Sequence, residues 1–180
     1  MQVYRTRWAA NEKWLPVEPD EKGSGKPVSI IIDRNKKKQE IIGFGGAFTE
    51  SSAYNLLRVD KKARREVIER YFSQDKGLGY TLGRVAINGC DFSLSSYLYI
   101  DDYDDTLSSF DISRDYPTID LILDAGKEAG REIGILASPW TPPFWMKTNN
   151  SYIHGGHLLP KYYQTWADYF VKFIGEYAKR

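Results

Sequence analysis

Two carboxylates, Glu50 and Asp91, stand just past short apolar runs, Glu50 after IIGFGGAFT and Asp91 after YTLGRVAINGC. Carboxylates paired at the mouth of a cleft suit glycoside cleavage, one as acid and the other as nucleophile or base. The alternative gives them separate work, with Asp91 binding a substrate hydroxyl and Glu50 capping the following helix. A third apolar run, residues 133–137, leads into Ser138-Pro139-Trp140-Thr141-Pro142-Pro143-Phe144-Trp145. Proline lacks the N–H that a ladder needs, so the strand breaks hard here and holds Trp140, Phe144 and Trp145 on rigid backbone. Aromatics on a rigid turn past a strand's end suit a concave ligand site. Arg84 sits inside an apolar strand and requires a partner if buried, with Asp91 a candidate.

Other reactive residues carry less. His154 and His157 have a spacing that could ligate metal but lack a nearby third ligand, so no metal is expected. Cys90 is the sole cysteine, which rules out an internal disulfide and reads as a structural thiol. Asn149-Asn150-Ser151 matches a glycosylation acceptor, relevant only in a secretory compartment. Gly43-Phe44-Gly45-Gly46-Ala47 lies within a strand rather than between strand and helix, so it marks close packing or a bulge instead of a phosphate cradle.

The elements that must place these residues follow from hydrophobic periodicity. Residues 1–27, with Trp8, Trp14, Pro16, Pro19, Gly23, Gly25 and Pro27, read as an extended arm with turns. Runs 28–33 and 39–44 read as a hairpin across a solvated Lys-rich turn. From residue 41 the pattern alternates. A strand near 41–48 precedes helices at 53–57 and 61–72, the latter capped by Asp60 and buried through Ala63, Val67, Ile68 and Tyr71. A strand at 80–87 precedes a long polar loop to about residue 116 and a helix opened by Pro117 and closed by Gly130. The third strand precedes a helix from about Pro160 with Tyr163, Trp166, Ala167, Phe170, Ile174 and Tyr177 on its buried stripe. Three βα units of about 50 residues imply an α/β fold with a parallel sheet and a site at the strands' C-terminal ends. A partial TIM barrel fits, with a doubly wound sheet as the alternative.

The totals narrow the functional classes. A net charge of +1, with both signs mixed along the chain, excludes a nucleic-acid binder as the main reading. No stretch has the roughly 20 apolar residues of a membrane span. The start, MQVYRTRWAANEKW, has no apolar signal core and reads as mature or cytoplasmic sequence. Aromatic residues make up 14% of the chain, enough to raise carbohydrate binding through rings stacked on sugar C–H faces.

Four motifs in order carry a resemblance: residues 43–50 (GFGGAFTE), Arg84 with residues 90–93 (CDFS), residues 138–149 (SPWTPPFWMKTN) and residues 163–173 (YQTWADYFVKF). Together they resemble glycoside hydrolase family 30, with its glucosylceramidase-like members nearest. The resemblance implies the first three βα units of a (β/α)8 barrel over residues 41–180. It makes residues 1–40 an N-terminal β arm and hairpin of a side β-sandwich. It implies a retaining β-glycosidase without metal or cofactor, acting on a β-linked glucoside or glucan. Asp91 and Trp140 then line the sugar subsite, with Phe92 and Trp145 beside them and Arg84 and Glu50 ordering the site. The family's acid/base glutamate ends the fourth strand in an Asn-Glu-Pro motif and its nucleophile ends the seventh. Neither motif occurs here, so no catalytic residue is assigned and the chain alone is expected to be inactive. The missing C-terminal part of the barrel and sandwich would be a partner. A β-1,6-glucanase or xylanase specificity, or a non-catalytic sugar-binding or complementing chain, are the competing readings. Family members are often secreted or lysosomal.

Overall fold

The computed structural model describes residues 2–18 and 28–180. Pro19, Gly23, Gly25 and Pro27 of the expected N-terminal turns lie outside the described residues. The chain divides into two compact units, Met1–Glu40 and Ile41–Arg180.

In the first unit β1 (Val3–Arg7) and β2 (Glu12–Val17) form an antiparallel hairpin. Asn11 turns it from the left-handed region at φ 51°, a conformation that asparagine tolerates better than most residues. Glu12 accepts from the guanidinium groups of Arg7 and Arg5. Tyr4 stacks on Trp14 with ring centroids 5.2 Å apart. The hairpin therefore lies in the segment read as an extended arm with turns. The one expected at 28–44 is absent. Its turn does form, with Lys36 N–H donating to Asp33 O at 3.1 Å, but no strand flanks it. Ile30, Ile31 and Ile32 stand exposed side by side. A run apolar on both faces cannot be buried by one hairpin partner, and a two-stranded ribbon is marginal at best.

The second unit runs β3 (Gly45–Ala47), α1 (Glu50–Arg58), α2 (Lys61–Phe72), β4 (Leu82–Ile87), α3 (Tyr116–Ala129), β5 (Gly134–Pro139) and α4 (Tyr163–Ala178). The three strands are parallel in the order β3-β4-β5. Gly45 pairs with Leu82, Arg84 with Leu136, and Ile87 with Pro139. Because strand side chains alternate, this register places Phe48, Val85 and Ile87 on the helix-covered face with Ile119, Ala125 and Phe173. Ala47, Arg84 and Leu136 share the opposite face, where Leu136 is 65% exposed. Among the described residues β3 and β5 each keep one unpaired edge. No helix among them is long and apolar enough to cross a membrane.

Local chemistry sets the helix ends. Thr49, rather than Glu50, caps α1 by accepting from Ser52 N–H at 3.0 Å. Asp60 caps α2 by accepting from the N–H groups of Lys62 and Ala63, both at 2.9 Å. We expect Asp60→Ala to cost about 1 kcal/mol, the usual worth of such a cap. A lower urea midpoint with an unchanged slope is the checking measurement. Pro117 opens α3, and Gly130 ends it in the left-handed conformation at φ 66°. The buried faces of α2 and α4 are rotated from the expected stripes. Ile68 and Phe72 are buried on α2 while Val67 and Tyr71 stay partly open, and on α4 Tyr169 and Phe173 are buried while Tyr163 and Ile174 are exposed. β5 runs two residues further than expected. Pro139 is its last residue, tolerable because that strand is an edge among the described elements.

Candidate functional site

The parallel register brings three segments to one rim. Trp140 N–H donates to Ile87 O at 3.3 Å, so β4 and β5 end level. Phe48 N–H donates to Arg84 O at 2.8 Å, which carries β3 to the same end. The turn bearing Asp91 and the segment bearing Trp140 therefore leave adjacent strands side by side.

The turn is built tightly. Ser93 N–H donates to Cys90 O at 3.0 Å, Cys90 N–H to Ser93 Oγ at 3.0 Å, and Phe92 N–H to Cys90 Sγ at 3.4 Å. The thiol is thus a turn component. Ser51 holds the turn against α1, its N–H and Oγ both donating to Phe92 O. These bonds leave the Asp91 carboxylate and the Phe92 ring projecting into solvent. Trp140 is 44% exposed.

Arg84 is not buried and does not pair with Asp91. It stands on the open face of the sheet, where its Nε and Nη2 donate to Ser138 Oγ at 2.9 and 2.7 Å. Its guanidinium carbon lies 4.9 Å from the centre of the Trp140 ring. The strand's alternation explains the difference, since residue 84 falls on the face opposite Val85. Arg84 thus braces Trp140 through a cation–π contact.

Glu50 is committed elsewhere. Arg114 Nε donates to Oε1 at 2.8 Å and Arg114 Nη2 to Oε2 at 3.2 Å. Leu94 N–H also donates to Oε2, at 2.8 Å. Arg114 reaches on to Ser95 Oγ and covers the Tyr97 ring at 4.1 Å. Glu50 accordingly clamps the loop after β4 onto α1, with both oxygens occupied. The two carboxylates singled out in the sequence are not set as a reacting pair: one is locked in an ion pair and the other is free in solvent.

Trp145 turns inward. The Phe144–Met146 turn buries it to 5% exposure against Tyr103 and Tyr162, with its Nε1 unpartnered. Trp145 is thus part of the core rather than an exposed ring of the rim. Lys147 is buried next to it and donates to Thr141 Oγ1 at 3.1 Å, and burial lowers its pKa. Asn149 folds its side chain into its own loop, Nδ2 lying 3.0 Å from Ile153 O, 3.4 Å from His154 O and 3.2 Å from Gly155 O.

A polar network beneath the rim was not read from the sequence. Asp115 is buried and accepts from the hydroxyls of Tyr99, Tyr177 and Tyr97 at 2.6, 2.7 and 3.0 Å. Burial raises its pKa against the three donors that pull it down, and the Glu50 charge adds to the rise. Burial and the neighbouring Asp115 hold all three phenols well above their usual range. Asn88, buried and in the left-handed region at φ 71°, accepts from Tyr169 OH and donates to Thr141 O at 3.2 Å. The one available signal was the long Tyr-rich loop itself, whose phenols need partners when buried.

The Glycosyl hydrolase family 30 TIM-barrel domain matches residues 41–180. The mouse (Mus musculus) lysosomal acid glucosylceramidase is 38% identical over 163 residues, which is 87% of this chain and 32% of that protein. SrfJ from Salmonella typhimurium superposes with a TM-score of 0.73 at 38% identity, covering 78% of this chain and 32% of that one. An endo-β-1,6-glucanase superposes with a TM-score of 0.75 at 28% identity, covering 99% of this chain and 39% of that one. The chain thus spans about a third of the length of the curated relatives it matches first.

Proposed function

The chain belongs to glycosyl hydrolase family 30, and from that premise we propose that it supplies the first three βα units of a retaining β-glycosidase barrel and one wall of its sugar subsite. The observation that carries this reading is the placing of Asp91 and Phe92 beside Trp140 at the ends of adjacent parallel strands. Ligand sites of parallel barrels lie at this end. Asp91 accepts hydrogen bonds from sugar hydroxyls, Phe92 and Trp140 offer apolar ring faces, and Arg84 and Glu50 hold the wall in position. Trp145 contributes as the buried support. The favoured substrate is a β-glucoside of the glucosylceramide type, in keeping with the 38% identity to a glucosylceramidase. A β-1,6-glucan is the second reading, favoured by the superposition on an endo-β-1,6-glucanase along 99% of the chain.

In this proposal further βα units close the barrel, and they carry the acid/base and nucleophile glutamates. The unpaired edges of β3 and β5 and the exposed Leu136 support it. The β1–β2 hairpin belongs to a side β-sandwich, where the exposed Trp8 and Trp14 find cover.

Tryptophan emission during titration with an aryl β-glucoside tests the wall. A saturable change is expected, absent in Trp140→Ala and weakened about tenfold or more in Asp91→Asn, the worth of a hydrogen bond to a charged acceptor. An identical response from the Trp140→Ala chain would sink the assignment. Repeating the titration with a β-1,6-linked gluco-oligosaccharide separates the two substrate readings.

A further inference from the structure

Asp115 is 5% exposed, and no Lys or Arg lies within ion-pair distance of it among the described residues. The nearest cation in sequence, Arg114, is spent on Glu50. The carboxylate is held instead by three neutral phenols from two parts of the chain, Tyr97 and Tyr99 in the loop after β4 and Tyr177 on α4. A buried carboxyl group satisfied only by long aromatic donors is a demanding arrangement, because each donor must stay in place for its oxygens to remain hydrogen-bonded.

Each loop tyrosine is in turn tied to the rim. Tyr97 O accepts from Gly89 N–H at 2.9 Å, and a Cβ at Gly89 would come within 2.7 Å of Tyr97 N, so the two backbones lie in contact. Tyr99 N–H donates to Tyr169 OH at 3.0 Å, and Tyr169 OH donates to Asn88 Oδ1. Asn88 Nδ2 then reaches Thr141 O, the neighbour of Trp140. One arm leads from the buried carboxylate to the turn of Asp91 and Phe92, and the other to the segment of Trp140. Both arms cross the chain far from Asp115 in sequence.

We infer that Asp115 is a positioning residue for the subsite wall, fixing the spacing of the Asp91 turn and the Trp140 segment through Tyr97 and Tyr99. This rests on the reading of those rim residues as a sugar wall. A cavity of about 20 Å³ beside Asp115, with Glu50, Ser93 and Tyr177 also on its lining, has room for one water. The loop clamp at Glu50 and the hub at Asp115 therefore meet at one spot under the rim.

Amide hydrogen exchange on the 180-residue chain tests the inference without any sugar. Asp115→Asn keeps the side chain's size and replaces one acceptor oxygen with an amide donor. It is expected to lower protection at the Gly89 and Tyr99 amides at least tenfold while α2 amides change less than twofold. Tyr99→Phe, which keeps the ring and removes one donor, is expected to give a smaller loss at the same two amides, and it carries the test alone if Asp115→Asn does not fold. Unchanged rim protection, or equal loss in α2, would overturn the inference. A wild-type chain whose tryptophan emission ignores the glucoside would count against the sugar wall and leave this exchange result standing.

Discussion

Incubated with an aryl β-glucoside, the purified 180-residue chain is expected to release aglycone no faster than buffer. Retaining cleavage needs two carboxyl groups about 5–5.5 Å apart across the bond, one protonating the leaving oxygen and the other attacking. On this rim the two nearest candidates do not meet that need. Glu50 has both oxygens engaged by Arg114 and Leu94 N–H, which leaves neither free for a substrate. Asp91 faces solvent, fit to receive a hydroxyl. A chain without such a pair lacks the mechanism rather than a fraction of its rate. Glu50→Gln is accordingly expected to leave the background rate as it was while loosening the loop after β4. Turnover well above buffer that vanishes in Glu50→Gln would refute this account.

The second large effect is structural and has its own control one residue away. A Cβ at Gly45 would lie 1.7 Å from Leu82 O, inside the backbone of the neighbouring strand, where no rotamer change relieves it. At Gly46 the nearest atom to a Cβ is a ring carbon of Tyr80 at 3.9 Å, an ordinary contact. Gly45→Ala must push β3 away from β4 and should cost about 3 kcal/mol or more, a large share of a small domain's stability. Gly46→Ala should fall within about 1 kcal/mol of the parent. Chemical denaturation of the pair is the measurement. Equal midpoints would mean that β3 does not pair as described.

Both effects follow from features that differ in how plainly the sequence displays them. The β4 and β5 runs, the Asp60 cap, and the Pro117 start and Gly130 stop of α3 depend on neighbours within a few residues, and they were readable. The glycines of β3 were legible as a sign of close packing. The N-terminal hairpin was not, because the run at 28–33 has the stronger strand composition and only a tertiary partner decides whether such a run pairs. The α4 face was placed only in part, with Trp166, Phe170 and Tyr177 on the core as expected but Tyr169 and Phe173 unread, for a related reason. Tyr, Trp, Phe and Ile surround most of that helix, so periodicity allowed two stripes. The choice fell to Tyr169, whose hydroxyl is needed by Asn88 and by the Tyr99 amide. Arg84 was readable as a residue that orders the site but its partners were not, because strand alternation hands it to the open face, where it meets Ser138 and Trp140 rather than Asp91. The Asp115 hub joins residues as far apart as 97 and 177, a separation at which no spacing rule operates.

The Asn149 loop has a consequence for protein maturation. Its Nδ2 is the atom that would receive an oligosaccharide at this sequon, and in the folded chain that nitrogen faces the carbonyls of residues 153–155. A substituted amide keeps one hydrogen, so a sugar there would break at least part of the closure, and little room remains on that side, since a Cβ built on Gly156 would come within 2.4 Å of Asn149 Oδ1. An occupied sequon thus leaves one hydrogen for the three carbonyls, and glycosylation at Asn149 is expected to open residues 149–156 to proteolysis faster than in the bare chain.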